Sequence, residues 1–158
     1  MSLYEENPTL KVLQQFGPIT MDRFNDRLRL QKLGFFCDVL GSEGGFNFTY
    51  YHYGPYAPTL TSILYKGITN DSFCVPELNG NEQNTVNLIQ ELFGDNVNNT
   101  HVLELYATIW YLLPEREINQ TDIDSLVDLI STTKPRFTPD EIRPAITYVI
   151  QFKTEHNL

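Results

Sequence analysis

The chain has 158 residues, a length that fits one domain. With 41% hydrophobic and 13% aromatic residues it has ample material for a core, which excludes intrinsic disorder. A formal net charge of −9 repels phosphate backbones and counts against nucleic acid as the default partner. Cys37 and Cys74 make neither a disulfide framework nor a CxxC pair. MSLYEENPTL lacks the basic-then-apolar pattern of a signal peptide, and no window approaches about 18 consecutive apolar residues. The expectation is a soluble cytoplasmic protein. On that expectation the four sequon-like triplets, at Asn47, Asn70, Asn98 and Asn119, read as chance.

Asn7 and Pro8 read as the cap and first residue of a helix that Gly17 stops. A second helix is predicted over 25–40, with Leu30, Leu33, Cys37 and Leu40 at helical spacing and Gly41 at its end. Arg23, Arg27, Arg29 and Lys32 lie on or beside it, interleaved with Asp22 and Asp26. After the loop GSEGG, residues Phe46 to Tyr53 read as a strand. Alternation puts Phe46, Phe48, Tyr50 and His52 on one face and Asn47, Thr49, Tyr51 and Tyr53 on the other. Gly54-Pro55 ends that strand, and Gly54 and Ala57, each before a proline, are predicted to be extended.

Pro58 then opens a short helix with Leu60, Ile63 and Leu64 inward and Gly67 at its end. A weak strand over 72–75 is the expected partner of the first. Helices follow over 81–93 and 100–113, closed by Gly94 and Pro114. Thr121 with Asp124, and Thr138 with Glu141, resemble capping boxes opening two more, and Pro144 predicts a kink or restart in the last. The fold class is mainly α (α+β): one compact domain, 1–158, of six to seven helices with a small inserted β hairpin.

Chemistry-bearing patterns are sparse. His101 and Glu104 stand one helical turn apart, but a metal centre needs more converging ligands, so no metal site is predicted. Ser42 directly follows Gly41 and does not match a nucleophile elbow; the loop reads as a flexible hairpin approach. Cys37 sits on an apolar stripe as a small core residue, and Cys74 has no base in view. GSEGG lacks the lysine of a P-loop. The Arg23/Arg27/Arg29/Lys32 cluster is the one nucleic-acid candidate, and its interleaved aspartates read as a solvated or salt-bridged face. The most unusual stretch is YYHYGPYAPTL, Tyr50 to Leu60, with four tyrosines, one histidine and two prolines. It divides into a strand end, a proline-stiffened corner and a first helical turn.

Arg27-Leu-Arg-Leu-Gln-Lys-Leu33 followed by Tyr51-His-Tyr-Gly-Pro-Tyr-Ala57 resembles the pattern (R/K)-L-x-L-Q-K-L … Y-x-Y-G-P-(Y/V). That pattern marks the YwgA-like proteins and the wider Panacea, or SocA-like antitoxin, domains. Leu103-Glu-Leu-Tyr-Ala-Thr-Ile-Trp-Tyr111 and Lys134-Pro-Arg-Phe-Thr138 resemble later YwgA-like segments. The resemblance, from about residue 8 to 152, implies a helical, non-enzymatic prokaryotic module without cofactors. Some such domains neutralise a toxin by contact or deliver a partner to a protease, and no catalytic residue carries over. The signature positions are Arg27, Gln31, Lys32, Tyr51, His52, Tyr53, Gly54, Pro55 and Tyr56. The expected partner is another protein, with a homodimer as a further option. The Tyr51/Tyr53/Tyr56 surface, helped by Arg27 and Lys32, is its expected contact. One alternative is a small hydrolase or ligand-binding protein with a His52/Tyr53 cleft, which requires a pocket with a carboxylate facing His52. The other is a DNA-binding regulator using the arginine helix.

Overall fold

A computed structural model describes residues 7–68, 77–113 and 119–158. They form seven α-helices and one two-stranded antiparallel sheet. In chain order these are α1 (Pro8–Leu13), α2 (Phe24–Val39), β1 (Thr49–Tyr51), β2 (Gly54–Tyr56) and α3 (Pro58–Ile68). Then follow α4 (Gly80–Phe93), α5 (Thr100–Leu112), α6 (Gln120–Thr133) and α7 (Pro139–Glu155). The chain is mainly α with an inserted hairpin, as its sequence pattern predicts. It gathers into two compact units, one ending at Glu104 and the other beginning at Leu105. No helix of the described residues is long and apolar enough to cross a membrane.

In the first unit α2 is the central element, packing against α1, α3, α4 and β2. Every residue from Arg29 to Cys37 is buried, so this helix has no solvent face in that stretch. Leu30, Leu33 and Phe36 join Leu10, Leu13, Leu60, Leu64 and Ile89 in the core. Each such side chain contributes roughly 1.5–3 kcal/mol by leaving water. Phe36 meets Phe93 edge to face, with ring centroids 4.9 Å apart. Gly34 lets α3 approach, since a Cβ there would stand 2.5 Å from the Leu60 side chain.

The predicted caps of α1 and α7 are present. Asn7 accepts from the Thr9 N–H at 3.0 Å, and Thr138 from the Glu141 N–H at 3.3 Å. The cap of α6 stands two residues before the predicted one: Asn119 accepts from the Asp122 N–H at 2.9 Å, and Asp122 returns a bond to the Asn119 N–H at 3.1 Å. Asp124 is instead paired with Arg143, at 2.6 Å. Asparagine caps as well as threonine, and the sequence offers both within three residues. Pro144 does not restart α7, which runs unbroken from Pro139. It stands on the exposed side, where the carbonyl that loses its partner can be hydrated.

Two local expectations fail for a physical reason. The loop after α2 is not a flexible approach. Ser42 is buried, donates to Thr85 Oγ1 at 2.7 Å, and its carbonyl accepts from Thr9 Oγ1 at 3.2 Å. Asn7 and Asn81 pin the Gly44 and Gly41 carbonyls at 2.9 and 2.7 Å. The arginine helix is not a solvated face either. Arg29 and Lys32 are buried and Arg27 is half-buried, leaving Arg23 as the exposed one of the four. Burial lowers the Arg29 guanidinium from its ordinary range, partly offset by Asp26. Its donors go to the Pro18 carbonyl at 3.1 Å and Asn98 Oδ1 at 3.0 Å. A helix packed on all sides must satisfy its cations with internal acceptors.

In the second unit α6 packs against α7 through Val127, Ile130, Ile142, Ile146 and Val149. Lys153 lies over the Trp110 ring, 4.8 Å from its centroid. α3 runs through Gly67 to Ile68 rather than ending at that glycine. The strand expected over 72–75, Cys74 and Pro114 lie outside what the structure describes.

Candidate functional site

The hairpin differs from the predicted strand and creates the site. Residues 46–53 do not run as one strand: β1 stops at Tyr51, His52 and Tyr53 form the turn, and Gly54-Pro55-Tyr56 returns as β2. The register pairs Thr49 with Tyr56, Tyr50 with Pro55 and Tyr51 with Gly54. Gly54 has φ of +96°, and it supplies the left-handed residue that closes a turn whose own two residues keep negative φ. Pro55 is tolerated because a two-stranded sheet leaves its other edge without a ladder. Phe46 is buried and Phe48 half-buried, whereas Tyr50 and His52 are exposed, so the predicted face breaks within β1, before the turn.

Between the start of α2 and this hairpin lies a cavity of about 350 Å³. Phe24, Arg27, Leu28, Gln31 and Lys32 line it from α2; Tyr51, His52, Tyr53, Gly54 and Tyr56 line it from the hairpin, and Thr61 from α3. Eight of the nine signature positions therefore line one cavity, and the ninth, Pro55, is bound to Lys32 through its carbonyl. The segments around 27–33 and 51–57, twenty-odd residues apart, form one hydrogen-bonded unit.

Lys32 is the anchor of the floor. Its side chain is 1% exposed and its Nζ donates to the Pro55 carbonyl at 2.6 Å. Gln31, also buried, donates from Nε2 to the Ala57 carbonyl at 2.9 Å and to Thr61 Oγ1 at 2.7 Å. Its Oε1 accepts from the Ala57 N–H at 2.9 Å. Thr61 in turn donates to the Tyr56 hydroxyl at 3.2 Å. Arg27 donates from Nη1 to the Met21 and Asp22 carbonyls at 2.8 and 3.4 Å.

The mouth is aromatic. Phe24 and Tyr53 meet edge to face at 5.0 Å, Tyr51 and Tyr56 at 5.4 Å, and His52 and Tyr53 at 4.9 Å. Phe24 is 49% exposed, Tyr51 53% and Tyr53 39%. The cavity thus has a rigid polar floor carrying two cationic groups and a rim of solvent-facing rings. Among its lining residues there is no aspartate or glutamate, so the carboxylate required to orient His52 as a base is not supplied there.

Phe24, Leu28 and Thr61 are lining residues that sequence reasoning passed over. The first two extend Arg27, Gln31 and Lys32 into a helical stripe at 24, 27, 28, 31 and 32, a signal legible in the spacing. Thr61 lies one helical turn after Ala57, which the structure makes a partner of Gln31. Elsewhere, His101 is exposed and Glu104 buried. Cys37 is fully buried, and burial pushes its thiol far above the ordinary range, as befits a core residue. Compared with protein-family models, curated proteins and solved structures, the chain matches none.

Proposed function

We propose that this chain is a non-enzymatic protein-recognition module of the cytoplasm, antitoxin-like or regulatory, whose contact surface is the mouth of the cavity. The observation that carries this reading is the pairing of an exposed aromatic rim with a floor held by buried hydrogen bonds. Tyrosine and arginine dominate interface hot spots, because they bury large area and still satisfy polar tips. A floor ordered before binding lowers the entropy cost of association. The resemblance to Panacea-type domains supports a toxin as the partner. The inward placement of Arg29 and Lys32 weighs against a nucleic-acid surface.

The test places a photo-crosslinking residue at position 53 and, separately, at the exposed position 148, in cells of the source organism. A protein adduct specific to position 53 is expected. With that partner purified, wild type should bind at least about tenfold more tightly than Tyr51→Ala/Tyr53→Ala, while the thermal melt stays within a few degrees. No adduct at position 53, or equal binding by the double variant, overturns the reading.

A further inference from the structure

We propose that the cavity is itself a binding site for a small organic anion carrying an aromatic ring. Its anionic group is seated against Arg27 and Lys32, and its ring lies among the aromatic side chains of the mouth. The inference stands apart from the partner-recognition reading, since it concerns a small molecule and needs no second protein.

Three observations carry it. First, the charged side chains lining the cavity are both cationic, in a chain with 20 acidic residues against 11 lysines and arginines. A lining that excludes carboxylates against such a composition defines the sign of the ligand. Second, Arg27 spends Nη1 on two backbone carbonyls, and among the described residues its other nitrogens make no hydrogen bond. A guanidinium oriented in this way keeps donors for a carboxylate or phosphate oxygen. Third, about 350 Å³ lies at the lower end of the roughly 300–1,000 Å³ of ligand pockets, a size for one ring with one anionic substituent.

Competing ligand classes fit less well. A cation would suit an aromatic cage but would meet Arg27 and Lys32. A neutral apolar ligand would strip water from the Arg27 guanidinium without returning an acceptor. A bare inorganic anion would satisfy the cations and leave the aromatic walls wet. The combination of ring and anion uses both halves of the lining. The walls that receive it are already held by the Gln31–Ala57 and Thr61–Tyr56 hydrogen bonds.

The purified chain is titrated with benzoate and phenyl phosphate, and with benzyl alcohol, benzylamine, acetate and inorganic phosphate as controls. Binding is followed by calorimetry and by amide NMR spectra. Benzoate or phenyl phosphate is expected to bind at least about tenfold more tightly than every control, to weaken with added salt, and to shift the Gly54 and Thr61 amides. The tighter of the two assigns the carboxylate or the phosphate class. Arg27→Gln should weaken that binding by about ten- to hundredfold. Benzyl alcohol or benzylamine binding as well as the anions, unshifted Gly54 and Thr61 amides, or unchanged binding by Arg27→Gln would each overturn the proposal. Should Arg27→Gln fail to fold, the ligand ranking and the shift map on the wild-type chain decide alone. Failure here leaves the crosslinking result at position 53 untouched, so the two readings fall separately.

Discussion

Gln31 and Ala57 exchange two hydrogen bonds, each 2.9 Å long: the side-chain amide gives one to the carbonyl and takes one from the N–H. The pair behaves as a strand neighbour made from a helix side chain. Ala57 is wholly buried just past the end of β2 and just before Pro58, so it has no ladder partner of its own. The glutamine amide supplies both a donor and an acceptor at the place where the chain leaves a strand for a helix.

Replacing Gln31 with leucine leaves the buried Ala57 N–H unsatisfied, while its carbonyl keeps the Leu60 N–H at 3.1 Å. The expected loss is about 1–3 kcal/mol of unfolding free energy. Urea titration measures it, and an unchanged midpoint would show that the pair is dispensable.

Lys32→Met keeps the volume of the stem and removes the donor to the Pro55 carbonyl. A hydrogen bond to a charged group contributes about 1.5–3 kcal/mol, offset by relief of the buried charge. A net loss is expected because the carbonyl is orphaned. Chemical denaturation that gives a variant as stable as wild type would mean that the desolvation of Lys32 wins.

Gly34→Ala sets two effects against each other. Alanine in a helix gains about 0.5–1 kcal/mol over glycine, but the new Cβ would stand 2.5 Å from the buried Leu60 side chain, an overpacking worth about 1–3 kcal/mol. The variant should lose about 1 kcal/mol net. In a Leu60→Ala background the clash is gone, and the same substitution should stabilise. A double-mutant cycle with no coupling between the two sites would refute this packing account.

Burial, and secondarily Glu43, raises the Asp38 carboxyl above its usual range. A raised folded-state value means that the fold binds this proton more readily than the unfolded chain does. The ionised carboxylate therefore opposes folding at neutral pH, and the penalty fades as pH falls through the raised value. It is absent below the unfolded value of about 3.9. Asp38→Asn should accordingly raise the melting temperature at pH 7, with the difference shrinking on acidification. A variant less stable than wild type at pH 7 contradicts the sign.

Much of the frame is legible in the chain itself. Caps such as Asn7 before Pro8 and Thr138 before Pro139, together with apolar stripes at helical spacing, locate helices because those rules act within a few residues. The cap of α6 was less legible, since Asn119 and Thr121 compete on nearly equal terms. The turn inside the predicted strand is not legible, because the run Phe46 to Tyr53, mostly aromatic or β-favouring, carries no mark of where a turn will interrupt it. The left-handed Gly54 that resolves the ambiguity reads equally well as a strand terminator.

Residue types and local spacing alone settle the helical class and the hairpin's neighbourhood, while the grouping of Arg27, Gln31 and Lys32 with the tyrosine corner is what the family resemblance implies. Only the tertiary structure decides what those polar residues do. A lysine on a helix reads as a solvated charge until the helix proves to be covered on every side. Only then does Lys32 become a buried donor to Pro55, and Gln31 the partner of Ala57. The cavity they floor exists because groups more than twenty residues apart are brought within hydrogen-bond reach, and no local rule reports that distance.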